Sequence, residues 1–228
     1  MGTLTALVSG QGLTKTYRRN AEDVHALRDV GLSLHPGELV ALVGPSGSGK
    51  STLLNVLCGW ERPDAGALRW GATLAGRRAE DLSWGELALV PQALGLLDDL
   101  TVNENISLPG RLTGLPDRGR QAAAALMTSV GIAHLADRYP KQASLGEQQR
   151  CCVSRALLLR PKIVLADEPT AHQDARWAEV IFTAFRELVR DGSACLIATH
   201  NPETWEYADR ILSMHDGELR EGAPATVH

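Results

Sequence analysis

The chain has 228 residues, of which 44% are apolar and 22% charged, with a formal net charge of -4. That balance is ordinary for a water-soluble globular protein and gives no reason to expect a nucleic-acid partner; the pairs Arg18-Arg19 and Arg77-Arg78 read as solvated surface. No apolar run approaches the ~18 residues of a membrane span, and residues 1–6 lack a basic, apolar leader pattern, so work at a membrane calls for another chain to cross it. A chain of this length buries roughly 70% of its unfolded surface, which predicts a sizeable core. Cys58, Cys151, Cys152 and Cys195 show no C-x-x-C spacing, and three of them have apolar neighbours, as reduced cytoplasmic thiols do.

In chain order, short β-like runs at residues 4–8, 24–34 and 38–43, with the turn His35-Pro36-Gly37, predict an antiparallel start that leads into a buried strand. That strand runs straight into Gly44-Pro45-Ser46-Gly47-Ser48-Gly49-Lys50-Ser51-Thr52, which fits G-x-x-x-x-G-K-[ST]. A strand turning through glycines into a helix lets backbone N–H groups from Ser46 to Ser51 approach phosphate oxygens. Lys50 is placed to reach the β- and γ-phosphates of a nucleotide, and the Ser51 hydroxyl to hold Mg²⁺. Residues 50–59 read as a helix with Leu53, Leu54 and Leu57 on one apolar face and Gly59 closing it.

Residues 66–90 read as a further region of short strands. Beyond Gln92 the pattern changes: residues 103–108 and the alanine-rich stretch 118–130 are helical by propensity, so 92–160 reads as a helical insertion. Strand and helix signals then alternate, with a buried strand at 162–166, an amphipathic helix at 175–190, a strand at 194–199 and a final strand around 211–214. The expected fold is α/β, a P-loop NTPase with a mainly parallel sheet covered on both faces and an antiparallel N-terminal part. One domain is expected over 1–228, with a core from 1–91 and 161–228 and a helical subdomain from 92–160.

The apolar strand Ile163-Val164-Leu165-Ala166 ends in Asp167-Glu168, and the carboxyl end of a parallel strand is where a ligand site is expected. There Asp167 is suited to hold Mg²⁺ through water, and Glu168 to orient or deprotonate the attacking water. Pro169-Thr170 and then Asp174 follow. With these motifs in this order, the chain resembles the nucleotide-binding subunit of an ABC transporter over essentially its whole length. The resemblance implies that Tyr17 stacks on adenine, that Gln92 ligands Mg²⁺ and senses a membrane subunit, and that His200 contacts the γ-phosphate. Residues 96–109 look like the branch that serves lipoprotein release, macrolide export and cell-division signalling.

Two segments depart from the family pattern. Where L-S-G-G-Q or L-S-G-G-E is usual, the chain reads Ala143-Ser144-Leu145-Gly146-Glu147, so that Leu145 replaces the first glycine. Residues 171–174 read Ala-His-Gln-Asp, where leucine usually precedes the aspartate. The resemblance assigns Ser144, Gly146, Glu147 and Asp174 to the nucleotide held by a second subunit, and both irregular segments are expected to act there.

The resulting expectation is an ATP-hydrolysing subunit, with ATP and Mg²⁺ as ligands, that drives an ABC transporter or related complex by nucleotide-dependent dimerisation. Expected partners are integral membrane permease subunits and a second ATPase subunit, identical or different, with the chain peripheral on the cytoplasmic face of the cell membrane. A soluble ABC ATPase acting on DNA or ribosomes is the first alternative, but coiled-coil inserts, zinc cysteines and a second fused domain are lacking. A regulatory module that holds ATP without hydrolysing it is the second, and Glu168 argues against it.

Overall fold

Alternation along the central strands decides the architecture. A computed structural model describes residues 5–19, 22–71 and 74–223. A six-stranded sheet is built from β3 (Leu39–Val43), β5 (Leu87–Val90), β6 (Ile163–Asp167), β7 (Ala194–Thr199), β8 (Arg210–His215) and β9 (Glu218–Glu221), in the order β5-β6-β7-β3-β8-β9. All neighbours are parallel except β8 and β9. In β6, Ile163 and Leu165 join one core while Val164 and Ala166 join the other. Both faces are covered, which is why β3, β6 and β7 are continuous apolar runs.

A second, three-stranded antiparallel sheet has the order β2-β1-β4, from β1 (Val8–Arg19), β2 (Glu22–Leu34) and β4 (Ala65–Trp70). It packs with α1 (Lys50–Leu57) on one face of the large sheet, through Leu13, Leu27, Leu34, Leu53, Leu57 and Leu196. The other face is covered by α4 (Leu145–Leu157) and by α5 (Ala175–Arg190), whose Ile181, Phe182, Phe185, Leu188 and Val189 form the buried stripe. A third core joins α2 (Val102–Leu112), α3 (Pro116–Ser129) and α4, with Ile106, Met127, Ile132 and Cys151 inside it.

The α/β class and the parallel sheet stand as expected; several boundaries do not. The expected strand at 4–8 begins at Val8 and continues to Arg19, and residue 4 lies outside the described residues. Residues 66–90 hold two strands of different sheets, with a 3₁₀ turn at Ala79–Asp81 between them. The strand around 211–214 is followed by β9, whose run Glu218-Leu219-Arg220-Glu221 is too polar to announce itself and is held by pairing to β8. Helix α2 starts at Val102, where Thr101 and Glu104 form a reciprocal capping box, and it runs past the expected end through Pro109 to Leu112. The backbones of α2 and α3 meet at two glycines: a Cβ on Gly110 would lie 2.8 Å from the Gly119 Cα.

Ahead of α2, the loop is pinned by Asn105, which is wholly buried. Its Oδ1 accepts from Leu97 N at 2.8 Å, and its Nδ2 donates to the carbonyls of Leu97, Leu100 and Thr101 at 3.0, 2.9 and 3.1 Å. Asn105→Ala is expected to destabilise the chain by about 1–3 kcal/mol, because it strands buried backbone groups. Urea unfolding followed by circular dichroism measures this, and a change within error of zero would remove Asn105 as the pin.

Candidate functional site

The turn from β3 into α1 is shaped by three glycines with left-handed φ: Gly44 (+153°), Gly47 (+78°) and Gly49 (+110°). A Cβ on Gly44 would come within 2.1 Å of Met214 O, and one on Gly49 within 2.2 Å of Ala26 O. At Gly47 a Cβ would meet nothing within 4 Å, so this glycine serves the backbone conformation and leaves the space above it open. Gly49 caps α1 without a side chain, and the first ladder bond runs from Leu53 N to Gly49 O at 2.9 Å. The amides before Leu53 therefore lie outside the helix ladder, at the positive end of the dipole.

This turn forms one wall of a cleft of about 850 Å³. Ser46, Gly47, Gly49, Lys50, Ser51 and Thr52 line it on one side; Gln92, Asp167, Glu168 and His200 come from the ends of β5, β6 and β7; and Tyr17 stands at the lip. The strand ends converge because β5, β6, β7 and β3 run parallel. Gly44 and Pro45 shape the floor instead, their carbonyls accepting from Lys50 Nζ at 2.7 and 2.9 Å.

Charge is concentrated at the cleft base. Lys50 is only 8% exposed, and burial pulls its ammonium below the usual pKa while the charges of Glu168 and Asp167 oppose that pull. Burial pushes the Asp167 carboxyl up, with Glu168 acting the same way, and the Ser51 hydroxyl and Lys50 working against both. Glu168 occupies a left-handed backbone conformation, φ 51°, which costs about 1–3 kcal/mol for a non-glycine residue. The conformation is held by Glu168 N donating to Ala198 O at 2.9 Å and by Gln149 Nε2 donating to Glu168 O at 3.4 Å. Its Oε1 lies 2.7 Å from His200 Nδ1.

The donor set fits a nucleoside triphosphate with a divalent ion. An ammonium and backbone amides suit phosphate oxygens, while Ser51, Asp167 and Gln92 offer the oxygen ligands that Mg²⁺ prefers. Among the described residues no three His, Cys, Asp or Glu side chains gather to hold a metal, and water and phosphate oxygens would fill the rest of a Mg²⁺ shell.

At the lip, Tyr17 on β1 is paired in register with Val24 on β2, which is 44% exposed. Lys15, two residues away on the same strand face, sets its Nζ 5.5 Å from the Tyr17 ring centroid and is anchored by Arg62 O, Glu61 and Asp64.

Ser144, Gly146, Glu147 and Asp174 do not line this cleft. Ser144 is the N-cap of α4, in a capping box with Glu147. Asp174 is the N-cap of α5 and accepts from Trp177 N at 2.9 Å. Leu145 is 49% exposed, and its backbone is helical with no left-handed φ, so a side chain fits here without strain. Ala171 and His172, expected to face a second subunit's nucleotide, line the chain's own cleft, as do Val24, Ala26 and Arg18, the last read from sequence as solvated surface. Only the Tyr17–Val24 register could have revealed Val24, and no local motif encodes that register.

The ABC transporter family pattern matches residues 27–171. The lipoprotein-releasing system ATP-binding protein LolD of Maricaulis maris is 43% identical over 223 residues, covering 93% of this chain and 96% of that protein. The macrolide export ATP-binding/permease protein MacB of Azoarcus is 36% identical over 223 residues, covering 96% of this chain and 34% of that longer protein. A dimeric ABC cassette, MJ0796, solved in a post-hydrolysis state bound to ADP and Pi, superposes with a TM-score of 0.85 at 31% identity, over 94% of this chain and 97% of that one.

The raised Asp167 pKa means that the folded chain binds this proton more tightly than the unfolded chain, so above the folded pKa the ionised carboxylate costs stability. Asp167→Asn is accordingly expected to raise the Tm of the nucleotide-free chain at neutral pH, measured by scanning calorimetry, and the gain should shrink as pH falls through the folded pKa. A lowered Tm at neutral pH would show that the ionised carboxylate is net stabilising.

Proposed function

The chain belongs to the ABC transporter family, as an ATP-binding and ATP-hydrolysing subunit, and we propose that it powers a membrane complex of the lipoprotein-release and macrolide-export branch. Its relatives LolD and MacB support the branch. Among the described residues no helix is long and apolar enough to cross a membrane; the proposed permease part spans it, with this domain on the cytoplasmic face.

In the proposed mechanism Tyr17 stacks on adenine with the ring face that Lys15 leaves free, and Val24 borders the base. Lys50 and the Ser46–Ser51 amides bind the phosphates. Ser51, Gln92 and Asp167 would hold Mg²⁺, which would supply neutralisation of phosphate charge. Glu168 accepts a proton from, or orients, the attacking water, and His200 holds the Glu168 carboxylate in place while facing the γ-phosphate. Catalysis is then mainly positioning and charge stabilisation. Two copies are proposed to close head to tail, each placing Ser144 and the α4 N-terminus against the other's nucleotide, in keeping with the dimeric form of MJ0796.

The observation that carries this reading is the Glu168–His200 contact of 2.7 Å inside the cleft that Lys50 floors. A module that merely holds ATP has no use for a carboxylate kept there on a strained backbone. Glu168→Gln is expected to lower turnover by about 10²–10⁴-fold while leaving ATP affinity near that of wild type, measured by phosphate release and nucleotide titration. Equal turnover in the variant would remove Glu168 from the chemistry. Tyr17→Ala is expected to weaken ATP binding by about 1–3 kcal/mol, the usual worth of base stacking on an aromatic ring, while leaving triphosphate without a base bound as before. Affinity purification of the tagged chain from detergent-solubilised host membranes identifies the partner: an integral membrane protein supports the complex, and soluble partners alone would overturn it.

A further inference from the structure

We propose that Gln173 is a positioning residue that locks the loop behind Glu168 to the first turn of α4, so that a chain's own nucleotide cleft and its Ser144–Gly146 terminus move as one body. The loop borders the cleft through Ala171 and His172. On its other side it touches α4 so closely that a Cβ on Gly146 would lie 2.8 Å from His172 O. Gln173 uses both ends of its amide across this contact: Nε2 donates to Gly146 O at 2.9 Å, and Oε1 accepts from Arg150 Nη1 at 2.7 Å. An apolar side chain of similar size could fill the space but would fix neither distance nor direction.

The α4 side of this lock is itself anchored. Arg150 is 6% exposed, and its guanidinium lies 4.2 Å from the Trp177 ring centroid. Trp177 packs so tightly on Gly131 that a Cβ there would come within 2.0 Å of the ring. The near end of the loop is tied to the same helix by Gln149 Nε2 and Glu168 O, 3.4 Å apart. Two amides thus bolt residues 168–173 to α4, one at each end. Exposed Leu145 and the cap Ser144 form the outward tip of the same body. A shift of Ala171 or His172 on filling the cleft is therefore passed to the surface offered to a second subunit. This inference rests on the ATPase reading above and adds a coupling between sites to it.

The test compares the full-length chain with Gln173→Leu, which loses both bonds, and Gln173→Glu, which keeps the acceptor for Arg150 but cannot donate to Gly146 O. Both variants are expected to bind ATP within about twofold of wild type, while kcat falls about tenfold and the Hill coefficient for ATP drops towards unity. Hydrogen exchange at residues 145–150 is expected to slow on adding ATP in wild type and to change little in the variants. Folded variants with wild-type kcat and Hill coefficient would overturn the coupling, as would an equal loss of ATP affinity, which would make Gln173 part of the binding site. If Gln173→Leu does not fold, Gln173→Glu and the wild-type exchange decide: no ATP effect at residues 145–150 in wild type overturns the proposal. A wild-type chain without turnover would instead sink the ATPase reading itself, so the two failures are distinguishable.

Discussion

Everything at the cleft depends on how closely one turn can approach two strands. Gly49 brings the start of α1 against Ala26 O of the antiparallel sheet, and Gly44 brings the end of β3 against Met214 O of the parallel one. The junction is tied further by Gly217 N donating to Ser48 O at 3.0 Å and Arg28 N donating to Gly217 O at 2.8 Å. This is what brings Tyr17, carried by the antiparallel sheet, and Lys50, the first residue of α1, to one cleft. Any side chain at Gly44 or Gly49 would drive the sheets apart and open the lip relative to the floor.

The same packing makes the charges at the cleft base expensive. Lys50 is held beneath the turn by two carbonyls, close to Asp167 and Glu168, and burial disfavours the charged form of Lys50 and of Asp167. Opposite charges recover part of that cost. On the proposed reading the remainder is put to use, since a triphosphate with its metal supplies the missing counter-charges. The strained backbone of Glu168 belongs to the same pattern, held by β7 on one side and α4 on the other.

Helix α4 connects this cleft to the rest of the molecule. Its apolar face packs beneath the sheet and into the helical cluster, its Gln149 reaches Glu168, and its first turn meets Gln173. Ser144 and Glu147 satisfy end amides at its N-terminus from within the chain itself. Leu145 is accommodated there because an N-terminal helical position with an outward side chain needs no glycine.

Local chemistry was legible in the chain itself. The phosphate turn, the apolar strand ending in Asp167 and Glu168, and the stripe of α5 each need only neighbours within a few residues, and spacing alone carries that information. The capping boxes at Thr101 and Ser144 are equally local. What only the tertiary structure decided are contacts between residues far apart in sequence: Glu168 against His200 and Gln173 on Gly146. Asp174 caps α5, while Ala171 and His172 of the same segment border the cleft. The physical reason is the same in each case: a side chain's partner across a loop is fixed by sheet order and helix packing, which no run of neighbouring residues encodes.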